Sequence, residues 1–252
     1  MIEFRGVHKA FGDRVVLDGV DLVIPTGETT VILGASGSGK SVLLKHIVGL
    51  VEPDQGDVLV GGESVPELDY DGLQALRRRI GFVFQFAALF DSMTIDQNLR
   101  LALEHRKIPA DEVTERVTES LRLVELEGVE DRYPAELSGG MRKRVGIARA
   151  ISLRPEYILY DEPTSGLDPV TTAVIDELMM RAREALGITG VVVSHDLRSA
   201  FRVGDRVAML HEGRIREAGT VAAIQASSDP VIRNFIEGRT GTEPAPAPGS
   251  RP

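Results

Sequence analysis

The sequence predicts an α/β protein in which a largely parallel sheet lies between helices, with a small antiparallel sheet near the start of the chain. Short, almost wholly apolar segments alternate with longer segments of helical periodicity. Strands this apolar are typical of parallel sheets, because helices cover both of their faces. The start of the chain differs, since turn signals there separate short strands. A helix-rich stretch in the middle completes the pattern.

The first thirty residues predict the antiparallel sheet. Gly12-Asp13 and Asp18-Gly19 are residue pairs that favour tight turns. We therefore expect short strands that are separated at both pairs.

Three apolar runs predict strands of the parallel sheet: Thr29–Leu33, Tyr157–Tyr160 and Gly190–Val193. The first run stops at Gly34, and the second is followed by two acidic residues. Because the carboxyl ends of parallel strands meet at one edge of a sheet, the segments that follow these strands form the expected ligand crevice.

Residues from about 94 to 154 have mostly helical patterns and few β runs. Pro109–Glu112 resembles a helix start, and apolar residues follow it at helical spacing: Val113, Val117, Leu121 and Val124. This stretch predicts a helical insert in the α/β core. The final segment, 240–252, combines Pro with small residues, which predicts a disordered tail.

The composition excludes several classes of function. The chain has 252 residues and a formal net charge of -9, so nucleic-acid backbones repel it and we expect no nucleic-acid partner. It contains no Cys, which excludes disulfides, thiolate metal sites and Cys nucleophiles. No apolar segment has the length of a signal peptide or a membrane helix. We therefore expect a soluble chain that depends on another protein for any membrane-spanning helices.

A glycine-rich segment follows the first apolar strand and fits the phosphate-binding P-loop pattern G-x-x-x-x-G-K-S. Glycines let the backbone curl until successive N–H groups point at phosphate oxygens, and the next helix directs its positive N-terminus at the anion. In this pattern Lys40 reaches the β- and γ-phosphates, and the Ser41 hydroxyl binds Mg²⁺. The predicted phosphate-binding residues are Gly34, Ala35, Ser36, Gly37, Ser38, Gly39, Lys40 and Ser41.

Two adjacent acids end the second apolar strand. At the carboxyl end of a strand, both Asp161 and Glu162 can turn towards the ligand crevice. Asp161 would hold Mg²⁺ directly or through water, and Glu162 would be the general base that polarises an attacking water. An acidic pair at a strand end is often only a solvated terminus, so this assignment depends on the P-loop beside it.

The segment Leu137–Met141, with the sequence LSGGM, resembles the signature motif of ABC ATPases. Further motifs of that family occur in the expected order: the P-loop, Gln85, the signature, Asp161-Glu162, Ser165–Asp168 and His195. The resemblance extends from Ile2 to about Arg239. It implies a P-loop NTPase of the RecA-like α/β class, with an N-terminal antiparallel β subdomain and a helical ABC subdomain at about 86–155. The expected ABC ATPase domain is 1–239.

The resemblance also implies how ATP is bound. Two copies of the chain would lie head to tail as an ATP-sandwich homodimer, and each ATP would contact the P-loop of one copy and the signature of the other. Ser138, Gly139 and Gly140 would open a helix whose N-terminus faces the γ-phosphate. Without the family, these three residues would be an ordinary loop before a helix.

Five single residues gain roles from the same resemblance. Gln85 would sense Mg²⁺ and the attacking water, Asp168 would communicate between the two ATP sites, and His195 would contact the γ-phosphate. Phe11 would stack on adenine, and Val42, where Thr is usual, would lie near the α-phosphate. The alternatives are a polar strand end for Gln85, a helix N-cap for Asp168, a structural histidine for His195 and a core position for Phe11.

The basic clusters Arg77–Arg79 and Arg142–Arg144 have a simpler interpretation. Such runs are usually solvated helix faces, and we expect that of most of these side chains. Some of them would approach a partner chain or phosphates.

Three departures from the most common ABC sequence motifs favour a lipid-handling branch. They are Val42, the segment Phe86–Thr94, and Met141, where many transport ATPases have Gln. All three resemble ATPases associated with Mce (mammalian cell entry) proteins, which handle phospholipids or sterols of the cell envelope. The resemblance implies a membrane permease and an Mce-type lipid-binding protein as partners. It places the chain on the cytoplasmic face of the inner (plasma) membrane.

Other functions remain as alternatives to lipid transport. The first is the ATPase of an importer for a polar solute such as an amino acid. An ABC ATPase of DNA repair or translation is disfavoured, because the chain has one cassette, no long heptad insert and an acidic balance. A purely structural role is disfavoured because Lys40, Asp161, Glu162 and His195 are all present.

Overall fold

A computed structural model describes residues 1–239, and the predicted tail 240–252 lies outside the described residues. Its strands are β1 (Ile2–Phe11), β2 (Arg14–Ile24), β3 (Thr29–Leu33), β4 (Gln55–Val60), β5 (Glu63–Ser64), β6 (Ile80–Val83), β7 (Tyr157–Asp161), β8 (Thr189–Ser194), β9 (Arg206–His211) and β10 (Arg214–Thr220). Its α-helices are α1 (Lys40–Ile47), α2 (Tyr70–Arg78), α3 (Ile95–His105), α4 (Ala110–Leu123), α5 (Gly139–Ser152), α6 (Pro169–Leu186), α7 (Leu197–Val203), α8 (Val221–Gln225) and α9 (Pro230–Glu237).

The larger sheet is parallel except at one edge and has the strand order β10-β9-β3-β8-β7-β6. Every residue of β3 and β8 is buried, which confirms the prediction of strands covered on both faces. In register, Leu33 pairs with Ser194 and Asp161 pairs with Val193. The segments that follow β3, β7 and β8 therefore begin side by side at one edge of the sheet.

The smaller sheet is antiparallel, with the order β2-β1-β4-β5. The predicted turn at Gly12-Asp13 joins β1 to β2 and is confirmed. The predicted turn at Asp18-Gly19 is wrong, because β2 continues through both residues. Val7 pairs with Val20 and His8 with Asp18, so Gly19 is an extra residue at a bulge, with φ +74°. Bulge and turn share the same residue preference, since both need a positive φ.

The predicted helical stretch contains α3, α4 and α5. Thr94 caps α3 with its hydroxyl, and the Gln97 side chain completes the reciprocal capping pair. Helix α4 begins at Ala110, as predicted, and its apolar residues are buried with those of α3 and α5 in one core: Val113, Val117, Leu121 and Val124.

The prediction that most arginines at 77–79 are solvated is wrong for Arg77, whereas Arg78 is exposed and the ion pairs of Arg79 lie at the surface. Arg77 donates to the carbonyl oxygens of Val48 and Gly49, at 2.9 and 3.1 Å. Arg79 forms ion pairs with Glu63 and Glu156. The reason is tertiary, because the carbonyls left free at the end of α1 are brought close to α2.

Candidate functional site

The predicted P-loop runs from the end of β3 to the first turn of α1. Gly39 has φ +104°, a conformation that residues with a Cβ rarely adopt. At Gly34 a Cβ would lie 2.5 Å from the carbonyl oxygen of Leu210, so only glycine fits there. These two constraints produce the curled backbone that the motif predicts, with the N-terminus of α1 at its end.

Lys40 is buried at the start of α1. Its ammonium donates to the carbonyl oxygens of Gly34 and Ala35, at 2.8 and 3.0 Å, and lies 3.4 Å from Oε1 of Glu162. The side chain therefore bends back over the loop, and its charge faces the acidic end of β7.

The acidic pair at the end of β7 meets the P-loop. The Ser41 hydroxyl donates to Oδ1 of Asp161 at 2.8 Å. Glu162 follows with φ +50°, a strained value for a residue with a Cβ, and its Oε2 lies 2.7 Å from Nδ1 of His195. Asp161 and Glu162 thus contact different partners although they are adjacent in sequence.

Gln85 lies just after β6 and lines the same cleft as Lys40 and Glu162. Its side-chain amide donates to the Ser165 hydroxyl at 3.3 Å, and both residues line the cleft. The structure therefore brings Gln85 to the site and excludes a merely solvated strand end.

One cleft of about 560 Å³, within the usual range for small-molecule sites, is lined by Lys40, Ser41, Gln85, Glu162 and His195, among others. Phe11 lines it with half of its surface exposed (50%), so the alternative of a core phenylalanine is excluded. Sequence reasoning missed two lining residues, Arg14 and Val16, and it named a third, Ser165, only as part of a family motif without a role at the site. Arg14 donates to the carbonyl of Gly37 at 3.3 Å. Its only local signal was a basic residue soon after Phe11, which is too common to be diagnostic.

The signature residues and Asp168 are described by the structure, and they lie outside this lining. The prediction that Ser138 to Gly140 open a helix is confirmed, and Ser138 caps α5 by accepting a hydrogen bond from the Met141 N–H at 3.2 Å. Both Ser138 and Gly139 are exposed. A Cβ at Gly140 would lie 2.5 Å from Cγ2 of Thr171, so α5 packs closely against the start of α6.

Asp168 is the N-cap of α6, the alternative weighed for it in the sequence. Its carboxylate accepts hydrogen bonds from the N–H groups of Val170 and Thr171, at 2.9 and 3.0 Å, and from the Thr171 hydroxyl. These hydrogen bonds, led by the one from the Thr171 hydroxyl, hold the pKa of Asp168 below its usual value. The capping role explains its position without the family role.

The second basic cluster also departs from the expected solvated face. Lys143 donates to the carbonyl oxygens of Pro163 and Ser165, and Arg144 donates to those of Val124 and Glu125. Any residue can supply a backbone carbonyl, so the sequence does not show that these side chains have such partners. For that reason they were predicted to be solvated. Among residues 1–239, no helix is both long and apolar enough to cross a membrane.

Comparison with known proteins extends this picture. A family model described as ABC transporter matches residues 17–165. Over 239 residues the chain is 42% identical to the probable ribonucleotide transport ATP-binding protein mkl of Mycobacterium leprae, covering 94% of this chain and 69% of the relative. It is 38% identical to the intermembrane phospholipid transport system ATP-binding protein MlaF of Escherichia coli K12, covering 94% and 89%. It is 40% identical to the sulfate/thiosulfate import ATP-binding protein CysA of a Synechocystis species, covering 93% and 65%.

Solved structures show the same likeness in three dimensions. The dimeric post-hydrolysis state of the ATP-binding cassette MJ0796, bound to ADP and Pi, superposes with a TM-score of 0.79 at 36% identity. That comparison covers 88% of this chain and 99% of the other. The chain belongs to the ABC transporter family and is the ATP-binding, ATP-hydrolysing subunit of a transporter.

Proposed function

We propose that this cleft hydrolyses ATP with Glu162 as the general base. The observation that carries the proposal is the convergence of Lys40, Ser41-Asp161 and Glu162-His195 on one cleft. Lys40 supplies a positive charge for the β- and γ-phosphates, and Phe11 supplies an exposed aromatic face for adenine. The P-loop amides bind the remaining phosphate oxygens.

In the proposed step Glu162 takes a proton from the attacking water. The water oxygen bonds to the γ-phosphorus, the bond from that phosphorus to the β–γ bridging oxygen breaks, and ADP leaves with its electron pair. His195, in contact with Oε2 of Glu162, orients the carboxylate. Lys40 and the N-terminus of α1 stabilise charge on the phosphate oxygens.

The residues present also fit Mg²⁺. The Ser41 hydroxyl and the Asp161 carboxylate are hydrogen-bonded to each other, and Gln85 lines the same cleft as Ser41. Within residues 1–239 no three His, Cys, Asp or Glu side chains form a metal cluster. One hydroxyl and one carboxylate suit Mg²⁺, because this ion keeps several waters and binds one or two carboxylates together with substrate phosphates. When bound, the ion would neutralise charge on the β- and γ-phosphates.

We further propose that a second copy of the chain completes each site. The exposed N-terminus of α5 at Ser138 and Gly139 lies outside the chain's own cleft, yet it is a helix end suited to an anion. A head-to-tail dimer would place it on the ATP of the partner.

Ser138→Arg should then abolish ATP-dependent dimerisation and hydrolysis while ATP still binds the P-loop half. Ser138→Ala removes the hydroxyl without adding bulk or charge, so it should impair dimerisation and hydrolysis less than Ser138→Arg does. Hydrolysis by a monomer at a concentration-independent specific rate would refute the dimer.

For the cargo we propose phospholipid. MlaF is named as part of an intermembrane phospholipid transport system. The residues at Val42, Phe86–Thr94 and Met141 favour the lipid-handling branch of the family. The second candidate is import of a polar solute, favoured by the similarity to CysA. Ribonucleotide, from the name of the mycobacterial relative, belongs to the same polar class.

The cargo is tested on the intact complex purified with its permease and reconstituted in vesicles. ATP-dependent transfer of labelled phospholipid, with no uptake of sulfate or nucleotide, is the expected result. Co-purification of an Mce-type lipid-binding protein would support it. Uptake of a polar solute without lipid transfer by the same complex would contradict the lipid assignment and leave the ATPase assignment intact.

The permease, we propose, docks beside Gln85 on the cytoplasmic face of the membrane. Phe86 and Phe90 follow Gln85 and are 87% and 52% exposed, an unusual state for large apolar side chains so close together. Leu89 differs, because it is only partly exposed and packs against the core. Phe86 and Phe90 therefore form the proposed contact surface.

A further inference from the structure

Lys143 occupies a position that the functions proposed above do not use. It lies on α5, half-buried, and its ammonium donates to the carbonyl oxygens of Pro163 and Ser165 at 2.8 and 2.7 Å. Burial lowers the pKa of Lys143, and the nearby Glu162 carboxylate opposes that shift. The side chain thus reaches from the signature helix to the segment that carries the proposed base.

The two carbonyls belong to a turn that begins at Glu162. The Ser165 N–H donates to the Glu162 carbonyl at 3.2 Å and closes the turn. The φ of +50° at Glu162 costs energy unless surrounding contacts hold it. The Ser165 hydroxyl also accepts the hydrogen bond from Gln85. The Lys143 ammonium therefore contacts both Pro163, which follows the proposed general base Glu162, and Ser165, which meets Gln85.

Position along α5 gives this contact a further meaning. Lys143 lies five residues after Ser138, a distance of about 7 Å along the helix. A rigid helix of that length transmits a shift at its N-terminus directly to the turn. The start of α5 is the part proposed to meet the partner's ATP.

We propose that Lys143 is a positioning residue that orients Glu162 through the Pro163 and Ser165 carbonyls, and so ties the base to closure of the signature helix. The proposal rests on the proposed role of Glu162. It requires hydrogen-bond donors at position 143, because carbonyl oxygens are the partners. A role based only on charge, or only on support of the fold, is the alternative.

A set of variants separates these roles. Lys143→Met keeps the aliphatic stem and removes the donors, whereas Lys143→Gln restores N–H donors without charge and Lys143→Arg restores both. Arg144→Met is the matched control, because Arg144 neighbours Lys143 on α5 but donates to Val124 and Glu125 instead. Thermal unfolding of each full-length variant shows whether it folds.

We expect Lys143→Met to lower kcat for ATP hydrolysis by about 10- to 100-fold, as small misplacements of catalytic groups do, with KM nearly unchanged. Lys143→Gln and Lys143→Arg should recover most of the loss, and Arg144→Met should resemble the parent. If Lys143→Arg recovers kcat and Lys143→Gln does not, Lys143 acts through its charge and the positioning role is refuted. An unchanged kcat, or a rise in KM alone, would overturn the proposal.

The decisive arm combines Lys143→Met with Glu162→Gln and measures single-turnover hydrolysis and ATP-dependent dimerisation. If Lys143 acts through Glu162, the double variant is no slower than Glu162→Gln alone and still dimerises with ATP. Additive loss, or loss of the dimer, would overturn the proposal. Near-normal turnover by Glu162→Gln alone would instead refute the base assignment, so the two failures are distinguishable.

Discussion

At the residue scale, the cleft has an apolar part, proposed to bind adenine, and a charged part, proposed to bind the phosphates and activate water. Phe11 and Val16 give one part an apolar character, whereas Lys40, Glu162 and His195 concentrate charge in another. Binding and turnover should therefore respond differently to substitutions in the two parts.

Phe11→Ala should raise KM for ATP by about 5- to 150-fold with kcat little changed, because stacking on the adenine contributes about 1–3 kcal/mol. Lys40→Ala should weaken binding and kcat together, since its ammonium is proposed to contact the β- and γ-phosphates and lies 3.4 Å from Oε1 of Glu162. Steady-state kinetics of both variants provide the measurement. Equal loss of kcat in the two would contradict this division.

Local motifs made most of the site predictable. The P-loop and the acidic pair at the end of β7 form continuous segments whose chemistry follows from residue order. Arg14, Val16 and Ser165 reach the cleft only through the packing of β2 and of the turn after Glu162. Lys143 was misjudged for a related reason, because its partners are backbone carbonyls that any residue could supply.

At the element scale, the core strands were predictable because they are buried on both faces. β3, β7 and β8 carry almost unbroken apolar runs, and only one arrangement covers both sides of them. Gly19 was misread because a bulge and a turn need the same backbone freedom. The decision between them depends on pairing with β1, which sequence reasoning does not contain.

Helices α6 and α7 share a buried polar contact that makes their packing depend on pH. Asp176 is 2% exposed and accepts a hydrogen bond from the Ser199 hydroxyl. Burial raises the pKa of Asp176, so the folded state holds this proton more tightly than the unfolded chain does. The contribution of Asp176 to stability is therefore full at low pH and is lost as pH rises through its folded-state pKa.

Asp176→Asn should raise the midpoint of thermal unfolding at pH 7, because the amide still accepts from Ser199 but carries no charge. The gain over the parent should shrink as pH falls towards about 4, where unfolded aspartate protonates. Melting curves of both proteins across pH 4–8 measure it. A gain that grows with acidity would reverse the sign and refute the argument.

At the scale of the whole molecule, α5 connects the parts of the site. Its N-terminus carries the signature, Lys143 contacts the turn after Glu162, and Arg149 donates to the carbonyls of Ala87 and Ala88. Both alanines have positive φ values, and they lie two and three residues after Gln85 in the segment proposed to meet the permease. One helix thus touches the backbone on both sides of the catalytic cleft.

Phe86→Asp should leave folding and ATP binding intact but weaken association with the permease by about 100-fold, since an unpaired buried carboxylate costs about 3 kcal/mol or more. Leu50→Asp is the control, because Leu50 is similarly exposed (62%) but follows α1. Detergent pull-down with the permease measures association. Equal effects of both substitutions would contradict a docking surface at Phe86.

The central claim is that Glu162 is the base of an ATPase assembled from two copies of the chain. Its most direct test is hydrolysis and ATP-dependent dimerisation of Glu162→Gln beside the parent, since the amide keeps the shape but cannot take the proton. We predict a loss of about 10²–10⁴ in kcat, with ATP binding retained and a stable dimer on size-exclusion chromatography. Near-normal turnover, or a variant that stays monomeric with ATP, would contradict the claim.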